Sequence, residues 1–169
     1  MRKTITMITV LLAFVLNAGA QDHIPEAPQA EFVMQLKVTL GETYSCGETQ
    51  HGRRTVIPIT GGTFEGPNIK GTILNGGADY QLASGGRTEV EAIYSIKTDD
   101  GVYIHIRNRG IIANSKDAQG NPSFYFRCAP QFEAPNDSKY AWLNNSLFLC
   151  APSFSQGFQG IVLNVWRVK

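Results

Sequence analysis

Three arginines stand in stretches that alternate like β-strands: Arg107 and Arg109 in Val102–Gly110 (VYIHIRNRG), and Arg127 in Phe124–Cys128 (FYFRC). A guanidinium is a planar fork that grips carboxylates or phosphates with paired hydrogen bonds. Turned toward an interior, the three would form a clamp for an anion. Internal ion pairs with Glu65, Asp79 or Glu133 would neutralise the same cluster without any ligand. Those carboxylates sit beside glycine or proline corners. Each is either a general base whose pKa burial raises or a cap on a turn. His105 is an internal acid–base candidate, since imidazole titrates near neutrality; a histidine satisfied by its neighbours is the plainer reading. Tyr94, Tyr125, Tyr140 and Trp142 offer an aromatic wall for a ring-bearing ligand, or ordinary core packing. Asn144 lies on the face of Trp142.

Other chemistries lack their residues. There is no G-x-S-x-G, H-E-x-x-H, P-loop or dinucleotide fingerprint, so no cofactor is expected. Of the three histidines, His23 lies in a polar leader and His51 in a loop-like stretch. A Ser-His-Asp triad or a three-histidine metal site is therefore not expected. Cys46, Cys128 and Cys150 have no CxxC spacing, which argues against zinc or redox chemistry. Cys128 and Cys150 fall on strands expected to be neighbours but not directly opposite, so three free thiols are preferred over one bridge.

The elements that must position these residues are strands. Phe32–Leu40 alternates, with Phe32, Met34, Leu36, Val38 and Leu40 on one face. Arg53–Thr60 follows, Pro58 marking an edge, bulge or strand end. Ile69–Leu74, Ala78–Ala83 and Glu89–Lys97 are strand-like and separated by glycine-bearing turns. Asp100-Gly101 is a hairpin signal. Taken as a two-residue loop, it pairs Ile96 with His105, Tyr94 with Arg107 and Ala92 with Arg109. Glu89, Glu91 and Lys97 want water, so Val90, Ala92, Tyr94 and Ile96 face inward and carry Arg107 and Arg109 in with them. A guanidinium inside is costly unless paired or liganded, which implies a polar cavity. Ile111–Asn121 reads as a loop, Phe124–Cys128 and Tyr140–Cys150 as strands, and Gly160–Val168 as the last one. Trp142, Asn144, Ser146 and Phe148 share a face of the Tyr140 strand. About eight antiparallel strands and no helix make a closed all-β barrel, with room for one small ligand.

The first twenty residues have the layout of a cleaved secretory signal: basic Arg2-Lys3, apolar Ile8–Leu16, and Ala18-Gly19-Ala20 at the cut. The apolar run is short of the ~20 residues a bilayer span needs, and position 21 is Gln, so no lipid attachment is indicated. The expected division is signal 1–20, flexible leader 21–31 and barrel 32–169, with an exported address and no integral membrane segment. Without Arg2 and Lys3 the chain has 13 basic and 14 acidic residues, a near-neutral balance that argues against nucleic acid as a partner.

Several stretches together carry a resemblance. Gly61–Tyr80 (GGTFEGPNIKGTILNGGADY), Tyr94…Thr98-Asp99-Asp100-Gly101…Arg107-Asn108-Arg109-Gly110, Tyr125-Phe126-Arg127…Ala129-Pro130…Phe132-Glu133 and Tyr140…Trp142-Leu143-Asn144…Ser146-Leu147-Phe148 resemble the domain of unknown function 3237 family, in order and spacing, from Phe32 onward. The resemblance implies a small antiparallel barrel somewhat like the lipocalin-type calycins, and no established reaction, cofactor or catalytic residue. The family pattern tends to threonine where this chain has Cys128, and its members are expected to lack a leader.

Three functions follow from this reading. The first is an exported barrel binding a small anionic or aromatic molecule, with Arg107, Arg109 and Arg127 on the anion and Tyr94, Tyr125, Trp142 and Asn144 around the rest. The second is a cofactor-independent isomerase or lyase using an internal carboxylate or tyrosine, with the arginines stabilising negative charge. The third is a structural envelope protein with an ion-paired interior. A carboxylate that reaches open cavity without an arginine partner distinguishes the second from the others.

Overall fold

The computed structural model describes residues 25–169; the expected signal segment and the first part of the leader lie outside them. Ten strands follow one another: β1 (Ala30–Leu40), β2 (Tyr44–Thr49), β3 (Gly52–Gly66), β4 (Ile69–Ile73), β5 (Gly77–Ser84), β6 (Arg87–Thr98), β7 (Tyr103–Lys116), β8 (Pro122–Glu133), β9 (Phe148–Ser153) and β10 (Gly160–Val168). All pairings are antiparallel. β1 and β2 lie end to end along one side of β3, and β4 and β5 end to end along its other side. The ten segments therefore trace eight strand positions, and the β1–β10 and β1–β3 pairings close them into a barrel. β1 begins at Ala30, two residues before the strand expected from Phe32.

Apart from β2, which is exposed along its whole length, the strands turn alternate apolar residues inward. Met34, Leu36 and Val38 meet Ile96, Ile104, Ile106, Phe132, Phe148 and Val165 in one continuous core. The first strand departs from clean alternation. A bulge between Phe32 and Met34 turns Phe32 out and buries both Val33 and Met34. Ile111–Lys116, expected as loop, continues β7 and pairs with Pro122–Arg127 of β8. The expected strand at Tyr140 is instead a 3-10 helix at Ala141–Asn145, which buries Leu143 and is followed by β9.

The largest correction concerns the β6–β7 hairpin. Its loop has three residues, Asp99-Asp100-Gly101. The Gly101 N–H donates to the Thr98 carbonyl, and the Thr98 N–H to the Val102 carbonyl. Gly101 closes the loop at φ 89°, a conformation that glycine adopts without a Cβ penalty. The extra residue slides the register by one. Tyr94 faces Ile106, Ala92 faces Asn108 and Glu91 faces Arg109. A slip of one residue exchanges the two faces of a strand. Ile104, Ile106 and Asn108 are inside, and Tyr103, His105, Arg107 and Arg109 are outside.

One end of the barrel is open. There β2 pairs only with β3, Pro122–Arg127 of β8 pairs only with β7, and β8 meets β9 through the single registered pair Cys128–Cys150.

Candidate functional site

An interior cavity of about 110 Å³ lies toward this open end, among Leu40, Ile57, Ala92, Ile112, Phe126, Phe154 and other apolar side chains. Its polar lining is small: Asp79, Gln81, Tyr94, Asn108 and the Cys128 thiol. The register explains how they meet. Ile57, Asp79, Ala92 and Asn108 form one cross-strand row on the inner face, from β3 through β5 and β6 to β7. Asp79 and Asn108 are thus two strand spacings apart, about 10 Å at the backbone. Alanine between them leaves the intervening space open.

Asp79 is half-buried. Burial raises its carboxyl pKa above the usual carboxylate value, while hydrogen bonds from Gln81 and the Glu91 backbone oppose the rise. Gln81 Nε2 donates to its Oδ2 at 2.7 Å and the Glu91 N–H to its Oδ1 at 3.1 Å. No arginine or lysine of the described residues pairs with it. Asn108, 4% exposed, has a side-chain Oδ1 with no hydrogen-bond partner among the described residues. Leaving a buried acceptor unsatisfied costs on the order of 1–3 kcal/mol, and a donor on a bound molecule would remove that cost.

Tyr94 and Cys128 are held neutral. Burial, with smaller contributions from the two nearby thiols, drives the Tyr94 phenol far above its ordinary pKa. The hydrogen bond with Cys150, reinforced by burial, drives the Cys128 thiol up as well. Neither can act as base or nucleophile near neutral pH; Tyr94 remains a hydrogen-bond donor. Cys128 and Cys150 stand directly opposite each other, contrary to the expected offset, and both are free thiols, as is the exposed Cys46.

Of the residues proposed from the sequence to bind a ligand or catalyse, only Asp79 and Tyr94 line the cavity. The arginines point away from it. The side chains of Arg107 and Arg109 are 44% and 61% exposed, and both bond Glu91 Oε1 on the outer surface, at 2.6 and 2.7 Å through Nε. Glu91, and not Glu65, Asp79 or Glu133, is their partner. Its pKa is depressed by the hydrogen bond from Arg109 and by Arg107. Tyr125 and Arg127 follow the outward alternation of β8. His105 is half-buried on the outer face against Ser95 Oγ, 3.2 Å from its Nδ1. Glu65 and Glu133 are exposed outside any cavity with Asp79.

The residues of the expected Tyr140 strand serve the fold. Asn144 accepts the Ala134 N–H at 2.7 Å and donates to the Ala134 carbonyl at 2.8 Å, which pins the 3-10 helix to the end of β8. Trp142 packs near Phe148, 6.1 Å between ring centroids, under the Arg167 guanidinium. The Tyr140 hydroxyl donates to Asp100 Oδ1 at 2.9 Å and braces the hairpin loop.

Two site residues escaped the sequence reading. Gln81 follows Asp79 by two positions and shares its face by strand alternation. Asn108 follows Ile104 and Ile106 at the same interval; two aliphatic neighbours on one face were the signal that this asparagine is interior.

Among the described residues no group of histidine, cysteine or acidic side chains has the arrangement to hold a metal, and no helix is long and apolar enough to cross a membrane.

Comparison with known proteins places this geometry. A UPF0311 protein of Rhodopseudomonas palustris (strain TIE-1) is 34% identical over 150 residues, covering 83% of this chain and 96% of the relative. A hydroalkoxylation enzyme of Penicillium herquei, phnH, is 28% identical over 141 residues, 83% of each chain. The crystal structure of a β-barrel-like protein from Acinetobacter baumannii AYE superposes with a TM-score of 0.75 at 31% identity, covering 87% of this chain and 99% of that one. An enzyme from Penicillium herquei shares the fold with a TM-score of 0.64 at 24% identity, covering 87% and 98%. The family model described as "Protein of unknown function (DUF3237)" matches residues 28–168, and the chain belongs to that family.

Proposed function

We propose that the barrel binds a small, mainly apolar molecule carrying a hydroxyl or another hydrogen-bond donor, and that Asp79 moves a proton on it without a cofactor. The observation that carries this reading is Asp79 itself: a cavity carboxylate with a raised pKa and no cationic partner. A carboxylate so placed can accept a proton from a bound molecule and return it. The cavity volume, about 110 Å³, approaches that of an apolar protein cavity of ~150 Å³ known to take up benzene. It admits one ring or a short chain, and a larger substrate extends through the open end. The unpartnered Asn108 Oδ1 accepts a substrate donor, and Ala92 leaves room between it and Asp79.

The fungal relative named as a hydroalkoxylation enzyme lends chemical sense to this reading. Hydroalkoxylation joins a hydroxyl oxygen to one carbon of a double bond and a proton to the other. In such a step Asp79 takes the hydroxyl proton as the carbon–oxygen bond forms, and the resulting carboxylic acid delivers a proton to the neighbouring carbon. No oxidant or reductant is consumed. Isomerisations and eliminations that need one internal proton carrier fall within the same chemistry. We also propose that the protein is exported, on the basic, apolar and small-residue pattern of its first twenty residues.

The test is proton exchange. Hydroxylated aromatics that raise the Tm of the mature chain are incubated with it in deuterium oxide, and deuterium entry at carbon is followed by NMR. Exchange is expected with the unaltered protein and lost in Asp79→Asn, while the Tm increase by the same compound persists. Equal exchange by Asp79→Asn removes the catalytic role. A second reading, binding without reaction, draws on the two hydrogen bonds that already hold Asp79; it predicts the Tm increase with no exchange in either protein.

A further inference from the structure

The outer wall of the barrel carries its own concavity, of about 620 Å³, over β3 and β5 to β9, within the ~300–1,000 Å³ range of small-molecule sites. Its floor follows from the register. Arg54, Leu82, Glu89, Ile111 and Arg127 are successive cross-strand partners, an outward row with arginine at each end and Leu82 and Ile111 between. The next outward row runs through Glu91 and Arg109 to Ala129.

Charge here is out of balance. From residue 25 on the chain has thirteen basic and thirteen acidic residues. The concavity nevertheless gathers Arg54, Arg87, Arg109 and Arg127 against only Glu89 and Glu91. Arg87 pairs with Glu89, while a single oxygen of Glu91 serves both Arg109 and Arg107. Arg54 and Arg127 meet no carboxylate among the described residues. Arg127 donates to the Phe126 carbonyl and lies 5.8 Å from the Tyr125 ring.

The face is also unusually apolar for a solvated one. Ile111 is 38% exposed, Tyr125 50% and Leu149 52%. Large apolar side chains clustered inside a cationic frame mark a binding surface.

We propose that this outer concavity, which shares only Val90 and Cys128 with the lining of the Asp79 cavity, is a second binding site, and that it takes an amphipathic organic anion: a carboxylate on Arg109 and Arg127, its apolar body on Ile111, Tyr125 and Leu149. Arginine suits the charge because its fork bonds both oxygens of a carboxylate. The surplus of cations is too small for a nucleic acid, whose binders make ~6–10 phosphate contacts.

The probe is 2-naphthoate, titrated by calorimetry into the mature chain, with the neutral 2-naphthamide alongside. Naphthoate is expected to bind, to weaken with added salt, and to lose about tenfold in affinity in Arg127→Ala and in Arg109→Ala, the scale of one charge-assisted hydrogen bond. Arg127→Lys is expected to restore part of that loss. Naphthamide binds more weakly, and Ala92→Phe, which fills the inner cavity, leaves naphthoate binding unchanged. The proposal is overturned if both alanine variants bind as the unaltered protein does. It is overturned equally if Ala92→Phe abolishes binding, which would assign the probe to the inner cavity. It also fails if sedimentation shows a dimer that Leu149→Asp dissociates, for then a second copy occupies the face. None of these outcomes depends on whether Asp79 catalyses a reaction.

Discussion

Asp79 costs stability where it is charged, and this gives its environment a signature independent of any substrate. Its folded pKa lies above its unfolded value because burial outweighs the hydrogen bonds from Gln81 and the Glu91 N–H. In the pH window between those two values the folded chain binds more protons than the unfolded one. Stability is then full below the unfolded pKa, ~3.9, and falls as pH rises through the folded pKa. Asp79→Asn removes the titration and keeps an acceptor for the Glu91 N–H, with Gln81 free to turn its amide. At pH 7 the variant is expected to be more stable than the unaltered protein. The gain should vanish in acid, as measured by urea unfolding across pH. A constant difference at every pH would show that the carboxyl is not perturbed. At this scale the sequence was a partial guide. It marked Asp79 as one of three corner carboxylates, but solvent exclusion separates them, and only the folded barrel supplies it.

At the scale of strands, one loop residue decided what could be read in advance. The inward face of β6 was legible: Glu89, Glu91 and Lys97 require water, so Val90, Ala92, Tyr94 and Ile96 had to be interior. Its partner β7 was not, because Asp99-Asp100-Gly101 accommodates either a two- or a three-residue turn, and that choice inverts the strand. Asn108 was lost, and Arg107 and Arg109 were misplaced, by this single count. The helix at Ala141–Asn145 escaped for another reason: five residues of 3-10 geometry, pinned from outside by Asn144, leave no periodicity to detect. The β7–β8 pairing yields its own prediction. Gly110 faces Cys128, and an added Cβ would collide with the Cys128 Sγ and come within 2.6 Å of the Arg127 carbonyl oxygen. Gly110→Ala is expected to cost about 1–3 kcal/mol, the usual penalty of overpacking. Adding Cys128→Ala should recover only part of it, since the carbonyl remains. Denaturant midpoints of the single and double variants check this, and an undiminished midpoint for Gly110→Ala would contradict the packing.

For the molecule as a whole, the barrel architecture was within reach of the sequence, because regular alternation between glycine-rich turns suits few folds; the family was within reach only through the resemblance of the motifs between Gly61 and Phe148. Its destination is a proposal with a direct check: intact mass of the protein recovered from an exporting host should start at Gln21, and a mass that retains Met1 would refute removal of the leader. The barrel closes when β1, at the start of the described chain, pairs with β10, at its very end: Ala30 lies opposite Val168 and Gln35 opposite Asn164. A ribosome releases the first of these partners more than a hundred residues before the second. Throughout that interval Met34, Leu36 and Val38 have no neighbour at the seam they share with Leu163 and Val165. Loop-closure entropy makes such distant pairing slow. Closure therefore waits for β10, and the interior that holds Asp79 cannot be sealed before that strand has been made.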